Sequence, residues 1–204
     1  MTTLIILYLI SWSMLMIAVL WQLPKTVYRW VKIITATLFV LIGFYNDQPM
    51  IIITLALFYI GDVLLAFANG GKVNRWLMLG MPFFWIGHVG LLLCIIARQK
   101  FDYLSLVLGL ALVFLVITIK KRFSAINFRG LYPVILLYGY TLGILGSLAL
   151  LNFSSVPVLA LGISIFIISD ISLIFWYFYP KCPIFIKLIN IVTYFGAVLI
   201  IALS

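Results

Sequence analysis

The chain has 204 residues, of which 67% are hydrophobic and only 8% charged, and its mean hydropathy is +1.33. Apolar runs along almost the whole length are more than a water-soluble core of this size can hide, so the chain reads as an integral membrane protein without room for a soluble domain. The net charge of +9 would point to nucleic acid in a soluble protein, but here the basic residues fall in short connections between apolar segments, where charge sets orientation, and no nucleic-acid partner is expected.

A lipid core about 30 Å thick needs roughly 20 helical residues per span. On that measure the sequence predicts an all-α, polytopic bundle of about eight transmembrane helices, forming one integral membrane domain over 1–204, with helices at 3–21, 31–46, 49–68, 76–97, 102–119, 130–151, 155–178 and 184–203. The first run, Met1 to Leu20, has neither a basic leader nor an A-x-A cleavage pattern and reads as a retained helix. Breaks fall at Pro24 to Arg29, Asn46-Asp47-Gln48-Pro49, Asn69-Gly70-Gly71-Lys72, Arg98 to Asp102, Lys120-Lys121-Arg122, Asn152 to Ser155, and Tyr179-Pro180-Lys181-Cys182-Pro183. Lys32 is expected in the first turn of the second helix.

Connections after odd-numbered helices carry eleven basic residues, among them Lys25, Arg29, Lys32, Arg75, Lys120 to Arg122, Arg129, Lys181 and Lys187, whereas those after even-numbered helices carry only Arg98 and Lys100. This positive-inside bias predicts that both termini face away from the cytoplasm, in a cell membrane of the bacterial inner-membrane type. Cys94 and Cys182 then lie on opposite sides and cannot pair. One histidine and no glutamate give no metal-ligand spacing, and no cofactor is expected.

Only four residues are acidic, and two of them, Asp62 and Asp170, sit inside apolar stretches. A carboxylate at a bilayer midplane costs roughly 2.5–3.5 kcal/mol on insertion scales, which makes these two the first functional candidates. They also lie in similar segments. Phe58 to Phe67 and Phe166 to Phe175 share the pattern F-x-I-small-D-[VI]-x-L-x-F, on helices four spans apart, as two parallel four-helix repeats would place them. Counted along the helices, both carboxylates fall roughly 9–12 Å below the basic surface, and His88 roughly 18 Å below it. Two carboxylates in one apolar cavity repel each other, so that one stays protonated beside a charged partner, an acid and a base. Such a pair suits cleavage of an ether-like bond through an oxocarbenium-like transition state. No GxSxG elbow and no activated cysteine supports an acyl-enzyme.

The segments Gly61-Asp62-Val63-Leu64-Leu65, Phe84-Trp85-Ile86-Gly87-His88 and Phe166-Ile167-Ile168-Ser169-Asp170, in this order and spacing, resemble the YhhN-like family of eight-span proteins, the lysoplasmalogenases. The resemblance implies hydrolysis of the vinyl-ether bond of a lysoplasmalogen to a fatty aldehyde and a glycerophospho-ethanolamine or -choline. Its partners would be a lysophospholipid substrate and bilayer lipid. Asp62 and Asp170 match the family's motif aspartates and are the implied catalytic pair, with His88 matching the family's histidine as the group that orients water or the glycerol hydroxyl. Lys32 corresponds to a family lysine and is implied to meet the substrate phosphate, with Ser169 beside the second aspartate also implied in substrate binding. Two departures stand out: Ile33 replaces a proline usual in the family, and Thr193-Tyr194-Phe195-Gly196-Ala197 lacks a glutamine. Tyr138 and Tyr140 are candidates for a compensating hydroxyl. A proton-coupled transporter of a small solute or amphiphile, with the aspartates as proton carriers, is the alternative reading, and a non-enzymatic scaffold or lipid sensor the third.

Overall fold

The computed structural model describes residues 1–68 and 73–204, so the break expected at Asn69-Gly70-Gly71-Lys72 lies outside the described residues. Among the described residues there are eight helices: α1 (Thr2–Leu20), α2 (Lys25–Gly43), α3 (Pro49–Ala66), α4 (Arg75–Arg98), α5 (Leu104–Arg122), α6 (Tyr132–Leu151), α7 (Pro157–Phe178) and α8 (Ile184–Ala202). All eight are long and apolar enough to cross a membrane, and the protein is a multi-pass, all-α membrane bundle.

The helix starts are set by local chemistry. Proline opens α3 and α7 at the first helical positions, where its missing N–H is not needed. Asn74 caps α4 by accepting from the amides of Trp76 and Leu77, each at 3.1 Å. Of the boundaries that differ from the sequence reading, two carry basic residues. Helix α2 begins at Lys25, directly after Pro24, so the expected break through Arg29 is helical and Lys32 stands two turns deep. The basic first turns are accommodated because Arg29 lays its guanidinium 4.4 Å from the centre of the Phe67 ring and donates to Ala66 O at 3.4 Å. Helix α5 runs on to Arg122: Lys120, Lys121 and Arg122 suit the negative end of the helix dipole, and Lys120 Nζ donates to Ile126 O.

Within each half of the chain, consecutive helices pack on one another, α1 on α2, α2 on α3 and α3 on α4, then α5 on α6, α6 on α7 and α7 on α8. Between the halves, α4 meets α6 and α2 meets α8, contacts that exchange under a shift of four helices. The likeness is incomplete, because α1 and α3 also touch α8 whereas α5 packs on α6 alone among the described residues. Phe58 of α3 and Phe166 of α7, the first letters of the repeated motif, meet at the centre with ring centroids 4.9 Å apart.

Helix α5 is held to α6 by a backbone-to-backbone approach at Gly109 and Gly143. A Cβ on Gly143 would overlap Gly109 O, whereas one on Gly139 would make an ordinary contact with Val116 at 3.6 Å. Small residues at such crossings replace the hydrophobic driving force that lipid does not supply. Gly143→Ala should therefore lower stability by about 1–3 kcal/mol, and Gly139→Ala should not, as read by melting of the detergent-solubilised protein.

Candidate functional site

Each aspartate has its own set of partners. Asp62 is 1% exposed; its Oδ1 is 3.0 Å from Lys32 Nζ of α2, and its Oδ2 accepts from the Tyr194 hydroxyl of α8 at 2.5 Å. Asp170 is 8% exposed; its Oδ2 accepts from the Tyr138 hydroxyl of α6 at 2.7 Å and lies 3.8 Å from His88 Nε2 of α4. The Tyr138 oxygen is also 3.2 Å from His88 Nδ1. These pairings repeat in register. Moving from Asp62 to Asp170, Lys32 on α2 is replaced by Tyr138 on α6 and Tyr194 on α8 by His88 on α4, and the ring of Phe58 lies 5.2 Å from that of His88 just as Phe166 lies 5.2 Å from Tyr194. The same framework thus holds one carboxylate against a cation and the other against an imidazole and a phenol.

The second set has a place for one further proton. With Asp170 a carboxylate accepting from Tyr138, the neutral His88 tautomer that bonds the Tyr138 oxygen carries its proton on Nδ1. That tautomer turns the lone pair of Nε2 toward Asp170 Oδ2, and Nε2, fully buried, has no hydrogen-bond partner among the described residues. A proton on Asp170 or on Nε2 relieves two facing lone pairs.

Three adjacent cavities lie at and beside the carboxylates. A chamber is lined by Lys32, Asp62, Asp170, Asn190 and Tyr194. Beside it an apolar slot lies between α4, α5, α6 and α7, with Asp170, Tyr138 and Tyr177 as its polar lining and Leu77, Met81, Val116, Leu142 and Ile174 among its walls. Toward the basic end lies a mouth that includes Gln22, Lys25, Tyr28, Trp176 and Lys187. Phe84, Leu173 and Asp170 border both chamber and slot, while Tyr28, Trp176 and Lys187 border both mouth and chamber. The arrangement sets an apolar slot on one side of the carboxylates and basic residues on the other.

Comparison with known proteins gives one match. The model of the YhhN family fits residues 30–204, nearly the whole chain and every aspartate partner described above. The chain belongs to the YhhN family. No curated protein and no solved structure matches it.

Against the residues singled out from the sequence of this YhhN protein, Asp62 and Asp170 share one chamber, and Tyr138 bonds the second of them. Lys32 is there too, but its ammonium is engaged by Asp62 rather than turned to a substrate phosphate. His88 stands behind Asp170 and Tyr138, among Phe58 and Phe166, and does not line the chamber. It therefore reaches a bound molecule only through its neighbours. Tyr140 is placed away from the chamber: its hydroxyl donates to Leu106 O of α5 at 3.2 Å, because two residues along a helix turn a side chain about 200° away from Tyr138. Ser169 is fully buried and bonded by Asn190, whose Nδ2 donates to its Oγ at 2.8 Å. Tyr194 and Asn190 were not picked out as site residues. Asn190, one turn before Tyr194, places a side-chain amide in the chamber on the same helix that lacks the expected glutamine. Lys187, Tyr28 and Trp176 also went unmarked, each being an ordinary residue for a membrane-interface position.

Proposed function

We propose that this protein hydrolyses the vinyl-ether bond of lysoplasmalogens, with its basic end toward the cytoplasm, releasing a fatty aldehyde and a glycerophospho head group. The observation that carries the reading is the single chamber that joins two differently partnered carboxylates to an apolar slot on one side and a cationic mouth on the other. The alkenyl tail fits the slot, which brings the vinyl ether to Asp170 at its head. Asp170, which faces no cation and belongs to the set with room for an added proton, is the proton donor. It protonates the vinyl carbon remote from oxygen, and the C=C pair forms the new C–H bond while the ether oxygen shares the resulting charge as an oxocarbenium. Asp62, a carboxylate in its ion pair with Lys32, accepts a proton from water as the water oxygen bonds the cationic carbon. The hemiacetal then collapses: its hydroxyl returns a proton to Asp170, the C–O bond to glycerol breaks, and the glycerol oxygen takes the proton held by Asp62. Both carboxyls end as they began. General acid and base steps of this kind contribute about 10²–10⁴-fold each, and the apolar walls keep other water away from the cation. Tyr138 and His88 hold Asp170 in place.

Aldehyde release from a vinyl-ether lysophospholipid by the purified protein, beside an alkyl-ether control, tests the reading. Aldehyde from the vinyl ether alone is expected, and none from well-folded protein would sink it. In the same assay Tyr138→Phe should slow turnover at least tenfold, by removing the hydroxyl that fixes both Asp170 and His88, whereas Tyr140→Phe should leave it unchanged.

A further inference from the structure

Lys187, in the first turn of α8, is among the described residues the inward cation of the mouth that no anion holds. Its ammonium lies 3.8 Å from the centre of the Tyr28 ring and 5.1 Å from that of Trp176, and none of the four aspartates is within ion-pair distance of it. The neighbouring cations are differently placed: Lys32 is bound to Asp62, Arg29 is laid on Phe67 and Ala66 O, and Lys25 is exposed. Lys187 lines both the mouth and the chamber, so it borders the basic end and the carboxylates' cavity alike. Aromatic faces attract an ammonium but satisfy none of its three N–H donors with a strong acceptor. We propose that Lys187 is the phosphate-binding residue of this site, held ready by Tyr28 and Trp176 to receive the phosphodiester of a lysophospholipid head group. The assignment deepens the hydrolase reading and rests on it for the lipid's identity.

The geometry accounts for how a chain with so few polar groups selects its substrate. A tail in the slot fixes one end of the lipid, and a charge-assisted contact at the mouth fixes the other, leaving the bond to be broken in the chamber between them. When the ammonium turns to the phosphate, the rings of Tyr28 and Trp176 are freed to face the amine of the head group, since a cation over those rings is already accommodated there.

The test is binding rather than turnover, so that it stands apart from the reaction. A tail-labelled alkyl-ether lysophosphocholine, which has no vinyl ether to cleave, and the corresponding alkylglycerol, which has no phosphate, are titrated against the protein in neutral nanodiscs. The phospholipid should bind more tightly. Lys187→Gln should weaken it about tenfold or more, as expected for loss of one charge-assisted bond, leave the alkylglycerol unchanged, and be largely restored in Lys187→Arg. Glycerophosphocholine should compete in a Lys187-dependent way and more strongly than inorganic phosphate. Equal weakening of both lipids, no weakening of either, or absence of binding by the unaltered protein would overturn the assignment, and inorganic phosphate competing as well as the head group would overturn the lipid source. Lys187-dependent binding without aldehyde release would remove the hydrolase reading and keep the subsite; aldehyde release with affinity indifferent to Lys187 would do the reverse.

Discussion

Asp170→Asn should cut aldehyde release by about 10²–10⁴-fold while leaving the melting temperature close to that of the unaltered protein. The amide oxygen still accepts from Tyr138, the side chain keeps its volume, and no cation loses a partner, because Asp170 has none. What disappears is the acidic proton that the vinyl carbon must receive. A protein that kept its turnover with Asn at this position would sink the assignment of Asp170 as the donor. Asp62→Asn should also stop turnover, for a different reason: the amide cannot take the proton of the attacking water. Here a stability loss should accompany the kinetic one, since the Lys32 ammonium is left without its anion. The two substitutions alter the same letter of a repeated motif, and their differing effects on melting follow from the partner helices.

Much of the fold was legible from hydropathy alone, because each apolar run long enough to span a bilayer forms a helix in which the backbone satisfies itself. The misplaced start of α2 shows where that signal fails. Lys25 and Arg29 make the first turns look like a connection, although Lys25 stays exposed and Arg29 is held in the helix by the Phe67 ring and Ala66 O. Asp62 and Asp170 were legible because burying a carboxylate in such a chain demands a cause. Their surroundings were not. Tyr138 and Tyr140 carry the same side chain two residues apart, and nothing in their sequence neighbours chooses between them; the packing of α6 between α4 and α7 turns one inward. Likewise the repeated motif showed that two helices resemble each other, but not that α2 with α8 serves the first carboxylate as α6 with α4 serves the second. Lys32 against Tyr138, and Tyr194 against His88, are unlike letters at equivalent places, and this unlikeness sets one carboxylate against a cation and the other against an imidazole and a phenol.

Lys32→Met should be the most destabilising of the changes considered, at about 3–5 kcal/mol, the usual cost of removing one partner of a buried ion pair. Methionine fills the volume of the lysine stem, so the loss comes from leaving Asp62, 1% exposed, with only the Tyr194 hydroxyl. The decisive comparison is with Lys32→Met combined with Asp62→Asn, which removes both charges and leaves an amide that still accepts from Tyr194. Melting of the double variant should recover most of the way to the unaltered protein, since replacing both members of a buried pair is often neutral. Aldehyde release should remain lost in it. If the double variant were no more stable than Lys32→Met alone, the lysine would be holding α2 in place by packing rather than by charge. Recovery of stability without activity would instead mean that the ion pair is there for the reaction, and that the bundle tolerates its burial because the chamber needs one fixed carboxylate beside a second that can give up a proton.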